Sequence, residues 1–156
     1  MTRYKFLILV SALVFAFMLP GRICAEGGGS FNRPADPDFA QANTAIQEKD
    51  WDKAIALLNA SLARNEKNAD AHNLLGYSER MRGNLDAAFR HYERALELDP
   101  KHRGAHEYVG EAYLMADNLP KAEEHLARLD ELCFFSCKEY RDLNAAVAEY
   151  KQKRAN

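Results

Sequence analysis

A 34-residue period constrains this chain more than any other feature. When residues 35–68, 69–102 and 103–136 are laid over one another, small side chains fall in register. Ala42, Gly76 and Gly110 share one slot, and Ala54, Ala88 and Ala122 share another. Large apolar residues recur as well, at Trp51, Leu85 and Leu119 and again at Leu58, Tyr92 and Leu126. Two antiparallel helices per unit satisfy this pattern. Small residues let the helices cross closely, and large ones fill the space between them. One such hairpin cannot bury its apolar face alone, so the period predicts stacked helical hairpins.

Local signals agree. Asp36-Pro37 reads as an N-cap followed by proline at the first helical position. Asp50, Asn84 and Asn118 stand where second helices should begin, as caps, and Gly83 should end the helix ahead of Asn84. After the third unit, "SCKEYRDLNAAVAEYKQKR" offers Ser136 and Glu139 as a capping box. Tyr140, Leu143 and Val147 then form one apolar stripe. This predicts a last helix over residues 137–156 that covers the exposed end of the array, as stacked repeats require.

The pattern resembles the tetratricopeptide repeat family. The middle unit carries that family's signature as Leu75-Gly76, Ala88, Tyr92, Ala95 and Pro100. The third keeps Val109-Gly110, Tyr113 and Ala122, but has Leu129 and Phe134 in the Ala95 and Pro100 slots. The first is degenerate, with Gln41-Ala42, Ser61 and Glu66 in the signature slots. The resemblance implies an all-α fold: a short α-solenoid of about three helical hairpins plus a C-terminal capping helix.

The first 25 residues stand apart. Arg3 and Lys5 precede an apolar run from Phe6 to Leu19, then Pro20, Gly21 and a small residue, Ala25. That order is the order of a secretory signal peptide. The run is 14 residues long, short of the ~20 that a membrane-spanning helix needs. Cleavage would remove three basic residues and no acid, moving formal charge from −2 to −5. An acidic chain of mixed charge disfavours nucleic acid and polybasic membrane contacts. Residues 26–35, "EGGGSFNRPA", read as a flexible leader. The expectation is an exported protein, periplasmic or secreted, with no stable membrane insertion once the signal is removed.

Export leaves two cysteines, Cys133 and Cys137, in "LCFFSC". They straddle the expected turn into the last helix. Three readings stay open: a structural disulfide that clips the turn, a labile or reactive pair, and half of a metal site. The spacing does not match the thioredoxin motif, and Lys138 stands where haem attachment needs histidine. His102 and His106, four apart, are a further candidate metal pair if one helix holds both. The alternative is that His106, which shares a slot with His72, fills a gap between helices. His91 and His125 fall in second helices with no evident partner. There is no Gly-rich phosphate loop following a strand and no nucleophile elbow or zinc-protease motif. The chain reads as a non-enzyme with no cofactor and no metal.

The family resemblance implies instead a concave surface, lined by the first helices, that holds a peptide or helix of another protein. Slot by slot, the lining is Phe39, Asn43, Ile46, Gln47, Asn73, Tyr77, Arg80, Met81, Glu107, Glu111, Leu114 and Met115. Tyr, Arg and Met are residue types suited to interfaces. Some members clamp a C-terminal carboxylate with Lys, Asn and Arg. Here those slots hold Phe39, Asn43, Leu74, Gly104 and Tyr108, and only Asn43 matches. The expected function is protein–protein interaction or scaffolding in a bacterial cell envelope. The alternative is a thiol-redox or copper-handling protein acting through Cys133 and Cys137. Self-association into a homo-oligomer is a further option. Replacing Tyr77 and Arg80 with Ala is expected to weaken capture of a partner at little cost in stability.

Overall fold

The computed structural model describes residues 36–155. The expected signal peptide (1–25) and leader (26–35) lie outside them. The described residues form seven helices and no strand: α1 (Pro37–Gln47), α2 (Trp51–Arg64), α3 (Ala69–Met81), α4 (Leu85–Leu98), α5 (Arg103–Met115), α6 (Leu119–Leu132) and α7 (Lys138–Ala155). None is long and apolar enough to cross a membrane.

Side chains at the helix starts explain these boundaries. Asp36 accepts from the backbone N–H groups of Asp38 (3.0 Å) and Phe39 (3.2 Å), with Pro37 in the first turn. Asp50, Asn84 and Asn118 accept from Lys53 (3.1 Å), Ala87 (3.5 Å) and Lys121 (3.2 Å). Each cap satisfies an N–H that the helix leaves without a partner. Two caps are not among those expected. Asn68 accepts from Ala71 at 3.2 Å, and the His102 Nδ1 accepts from Ala105 at 3.1 Å. The Ser136 capping box does not form. Ser136 has φ +28°, and Cys137, one residue on, supplies the first helical carbonyl, which accepts from the Arg141 N–H at 3.2 Å.

Helices α1–α2, α3–α4 and α5–α6 pack as hairpins, and each hairpin stacks on the next through α2–α3 and α4–α5. Helix α7 packs on α6 and on α5. This repeats the way α5 packs on α4 and α3, so α7 occupies the place of a fourth first helix. Glycines allow two of the close crossings. A Cβ on Gly76 would stand 2.7 Å from the Tyr92 ring, and one on Gly110 would stand 2.5 Å from Leu143 Cδ2. Three small apolar clusters form the core. Ala42, Leu58, Ala71 and Leu75 make the first; Ala88, Tyr92, Val109 and Ala112 the second; Ala122, Leu129, Leu143 and Val147 the third. Each cluster joins successive elements, so burial is continuous along the stack rather than central.

Candidate functional site

Helices α3, α5 and α7 border a shallow, open hollow of about 390 Å³, lined by Arg80, Glu111, Leu114, Met115, Ala146, Glu149, Tyr150 and Lys153. The first four were expected from sequence. The α7 residues were not, because α7 reads in sequence only as a cover. The available signal was spacing: α3, α5 and α7 begin at Ala69, Arg103 and Lys138, nearly one period apart.

Arg80 organises this hollow. Its guanidinium pairs with Glu111 at 2.7 Å and points Nη1 at the Met115 sulfur, 3.8 Å away. It lies 5.3 Å from the Tyr77 ring centroid and 5.8 Å from that of Tyr108. Tyr77 continues an aromatic row, with Tyr108 at 4.9 Å and Trp51 edge-on at 5.9 Å. Arg80 is only 8% exposed. Arg80→Ala would therefore strand Glu111 and open a gap, and stability would not be spared as the sequence suggested. Met81 and Met115, by contrast, are 44% and 55% exposed, and of the two Met115 lines the hollow.

The remaining expected residues divide. Phe39 and Ile46 pack partly into the first core cluster, and Asn43 turns its amide back onto the Phe39 carbonyl at 2.9 Å. The α1 end of the row therefore offers less than slot matching implied. Gln47 is exposed. Leu114 packs in part against the third cluster. Asn73 is buried, and its Oδ1 has no partner. Glu107 is also buried. Loss of hydration pushes its carboxyl up to about 7, against the field of Lys138.

Histidine chemistry differs from the sequence reading. His102 sits outside α5 as its cap and contacts Asp70 Oδ1 through Nε2 at 3.0 Å. His106 instead meets His125, Nδ1 to Nδ1, at 2.9 Å, and His72 meets His91 in the same way at 3.4 Å. The His102–His106 pair is thus not assembled. The partners of His91 and His125 are the residues 19 positions earlier, a spacing repeated one period apart. No group of three or more His, Cys, Asp or Glu is arranged to hold a metal among the described residues.

Cys133 ends α6, and Cys137 precedes α7. Their Cα atoms are 5.4 Å apart, with the sulfurs within bonding reach. The separation suits a disulfide. Phe134 and Phe135 between them are 92% and 86% exposed, edge to face at 4.7 Å.

Two sequence models, each described as "Tetratricopeptide repeat", match residues 39–101 and 80–147. No curated protein matches the sequence. Among solved structures, the type III secretion chaperone SycD of Yersinia enterocolitica, in complex with a peptide of the translocator YopD, superposes with a TM-score of 0.64. It shares 19% identity, over 75% of this chain and 92% of that one. The TPR2B domain of yeast Sti1, in a complex with an Hsp70 component, gives 0.69 at 15% identity, over 75% and 95%. The Sgt2 TPR domain of Aspergillus fumigatus gives 0.68 at 20% identity, over 78% and 82%.

Proposed function

The chain belongs to the tetratricopeptide repeat family, and from that premise we propose that it is a non-catalytic interaction module of the cell envelope that holds a segment of another protein in the hollow between α3, α5 and α7. The carrying observation is the hollow itself. It has exposed Met115 at its edge, the Tyr150 ring on its α7 side and the Arg80–Glu111 ion pair in its lining. Methionine adapts to irregular apolar partners, and a positioned ion pair selects polar ones. Neighbours of the same fold were solved with peptides of other proteins.

Export completes the reading. The N-terminal order of charge, apolar run and small residue supports secretion, and an oxidising compartment favours a closed Cys133–Cys137 bridge. In this account the bridge clips the α6–α7 turn, which keeps the α7 wall of the hollow in place.

A photoreactive residue at Met115 in the native compartment tests the groove. It should cross-link to one protein species, whereas the same residue at Glu93, exposed on α4, should not. Equal labelling from both positions would sink the groove reading. Intact mass after thiol trapping tests the rest. A chain starting at Glu26 with no label before reduction is expected. Prompt labelling of both cysteines would instead favour the thiol-redox alternative.

A further inference from the structure

Four large apolar side chains stand exposed among the described residues: Met81, Met115, Phe134 and Phe135. Met115 lines the hollow between α3, α5 and α7. The two phenylalanines lie outside it, in the loop between α6 and α7, and both are almost wholly exposed. The rings meet edge to face at 4.7 Å, and the loop's ends, Cys133 and Cys137, have Cα atoms 5.4 Å apart. The loop is thus a narrow projection that carries one continuous aromatic patch. Such a patch is costly in water and marks a contact site. Its shape suits a hollow.

The hollow of this chain has the matching chemistry. Leu114 and Met115 offer apolar surface, and Tyr150 adds a ring. A methionine sulfur and an aromatic edge are both favourable neighbours for phenylalanine. The charged groups of the lining are already matched, Arg80 with Glu111 at 2.7 Å and Lys153 with Glu149 at 2.6 Å. Residues 133–137 carry no charge. The rings can therefore enter without stranding an ion. One copy cannot do this alone. The loop precedes Lys138 at the start of α7, whereas Tyr150 lies roughly 18 Å further along that helix.

We propose that the Phe134–Phe135 loop of one copy docks in the α3–α5–α7 hollow of a second copy. The docking rests on the hollow being a site for protein segments, and it supplies that site with an occupant from the chain itself. A partner segment must then displace the loop. The contact joins two different surfaces, so each pair keeps one free loop and one free hollow. One loop buries less than a standard interface, which makes the contact weak and open to exchange.

Sedimentation velocity on the chain recovered from its own compartment tests this. The native chain should gain mass as its concentration rises. Phe134→Ser with Phe135→Ser blanks the loop, and Met115→Glu puts a charge in the hollow. All three side chains are exposed, so both variants should keep the native fold. Each variant alone should stay a monomer. Mixed in equal amounts, they should form a 1:1 dimer and nothing larger, because one intact loop and one intact hollow remain. The proposal is overturned by a native chain that stays monomeric up to about 1 mM, by self-association that survives either variant, or by a mixture that stays monomeric. It is also overturned if phosphatidylcholine vesicles retain the native and Met115→Glu chains but not the loop variant, which would assign the loop to a lipid surface. Cross-linking from Met115 separates the two readings of the hollow. Capture of another protein without self-association removes the loop as occupant and leaves the groove. Self-association without such capture keeps the loop and removes the other partner.

Discussion

Lys49, Gly83 and Asp117 hold the same backbone place, at the turn inside each hairpin. All three have positive φ: 59°, 85° and 61°. Only glycine occupies that region without a steric cost, and aspartate tolerates it better than lysine. Lys49 is exposed, so its side chain gives little in return. Lys49→Gly should therefore raise stability by about 1 kcal/mol, read as a higher denaturant midpoint at unchanged slope. Asp117→Gly should gain less or lose, because the Asp117 carboxylate accepts from the Tyr150 hydroxyl and pairs with Arg154. A gain from Asp117→Gly equal to that from Lys49→Gly would show that those contacts contribute nothing. The Gly83 turn was legible because glycine marks such a place by itself. The strain at Lys49 and Asp117 was not, because it comes from the turn's geometry and not from the residue that fills it. The histidine couples were hidden for a related reason. His91 lacks a partner in sequence until the hairpin crossing brings His72 across to it, although the repeated spacing was there to be read.

Helix α7 shows what an element-level pattern reveals and what it hides. The stripe of Tyr140, Leu143 and Val147 announced a covering helix, and Leu143 and Val147 are buried against the third core cluster. The stripe could not say that the adjoining edge of α7 walls the hollow through Ala146, Glu149 and Tyr150. A polar helix edge looks the same in sequence whether it meets water or a partner. Docking depends on one close approach, Gly110 beneath Leu143. Lys151–Glu123 and Arg154–Asp117 pairs hold the far end. These pairs are half-exposed and contribute little each. Gly110→Ala would push a methyl into Leu143, and such overpacking costs roughly 1–3 kcal/mol. Hydrogen exchange should then quicken in α7 while α3 stays protected, since the last helix of a stack opens locally. Uniform quickening across α3, α5 and α7 would mean that α7 is not a separable cap. Cys133→Ser with Cys137→Ser should act in the same direction and more weakly, because so short a loop constrains the unfolded chain little.

Across the whole molecule, Glu107 and His125 pull stability in opposite directions with pH. Burial raises Glu107 from 4.5 to about 7. Between those values the folded chain keeps a proton that the unfolded chain has lost, so this group makes stability fall as pH rises and then level off. His125 moves the other way, from 6.5 to about 4, through burial and then the neighbouring His106. Between those values the unfolded chain binds a proton that the folded chain refuses, so stability falls as pH falls. From about pH 4.5 to 6.5 the Glu107 slope offsets part of the histidine slope, to which His91 and His106, also lowered by burial, add. Glu107→Gln removes one slope. The variant should match the native chain at pH 4.5, melt higher at pH 8, and show a stability that climbs between pH 4.5 and 6.5. Asn73 and Glu107 sit on the same row of first helices as Arg80, so the neutral amide should leave the packing intact while abolishing the charge. Melting temperatures at pH 4.5, 5.5, 6.5 and 8 decide it. A variant that tracks the native chain at every pH would mean that Glu107 is hydrated and ionised throughout. The row of first helices would then carry a fixed negative charge rather than one that appears only near neutrality.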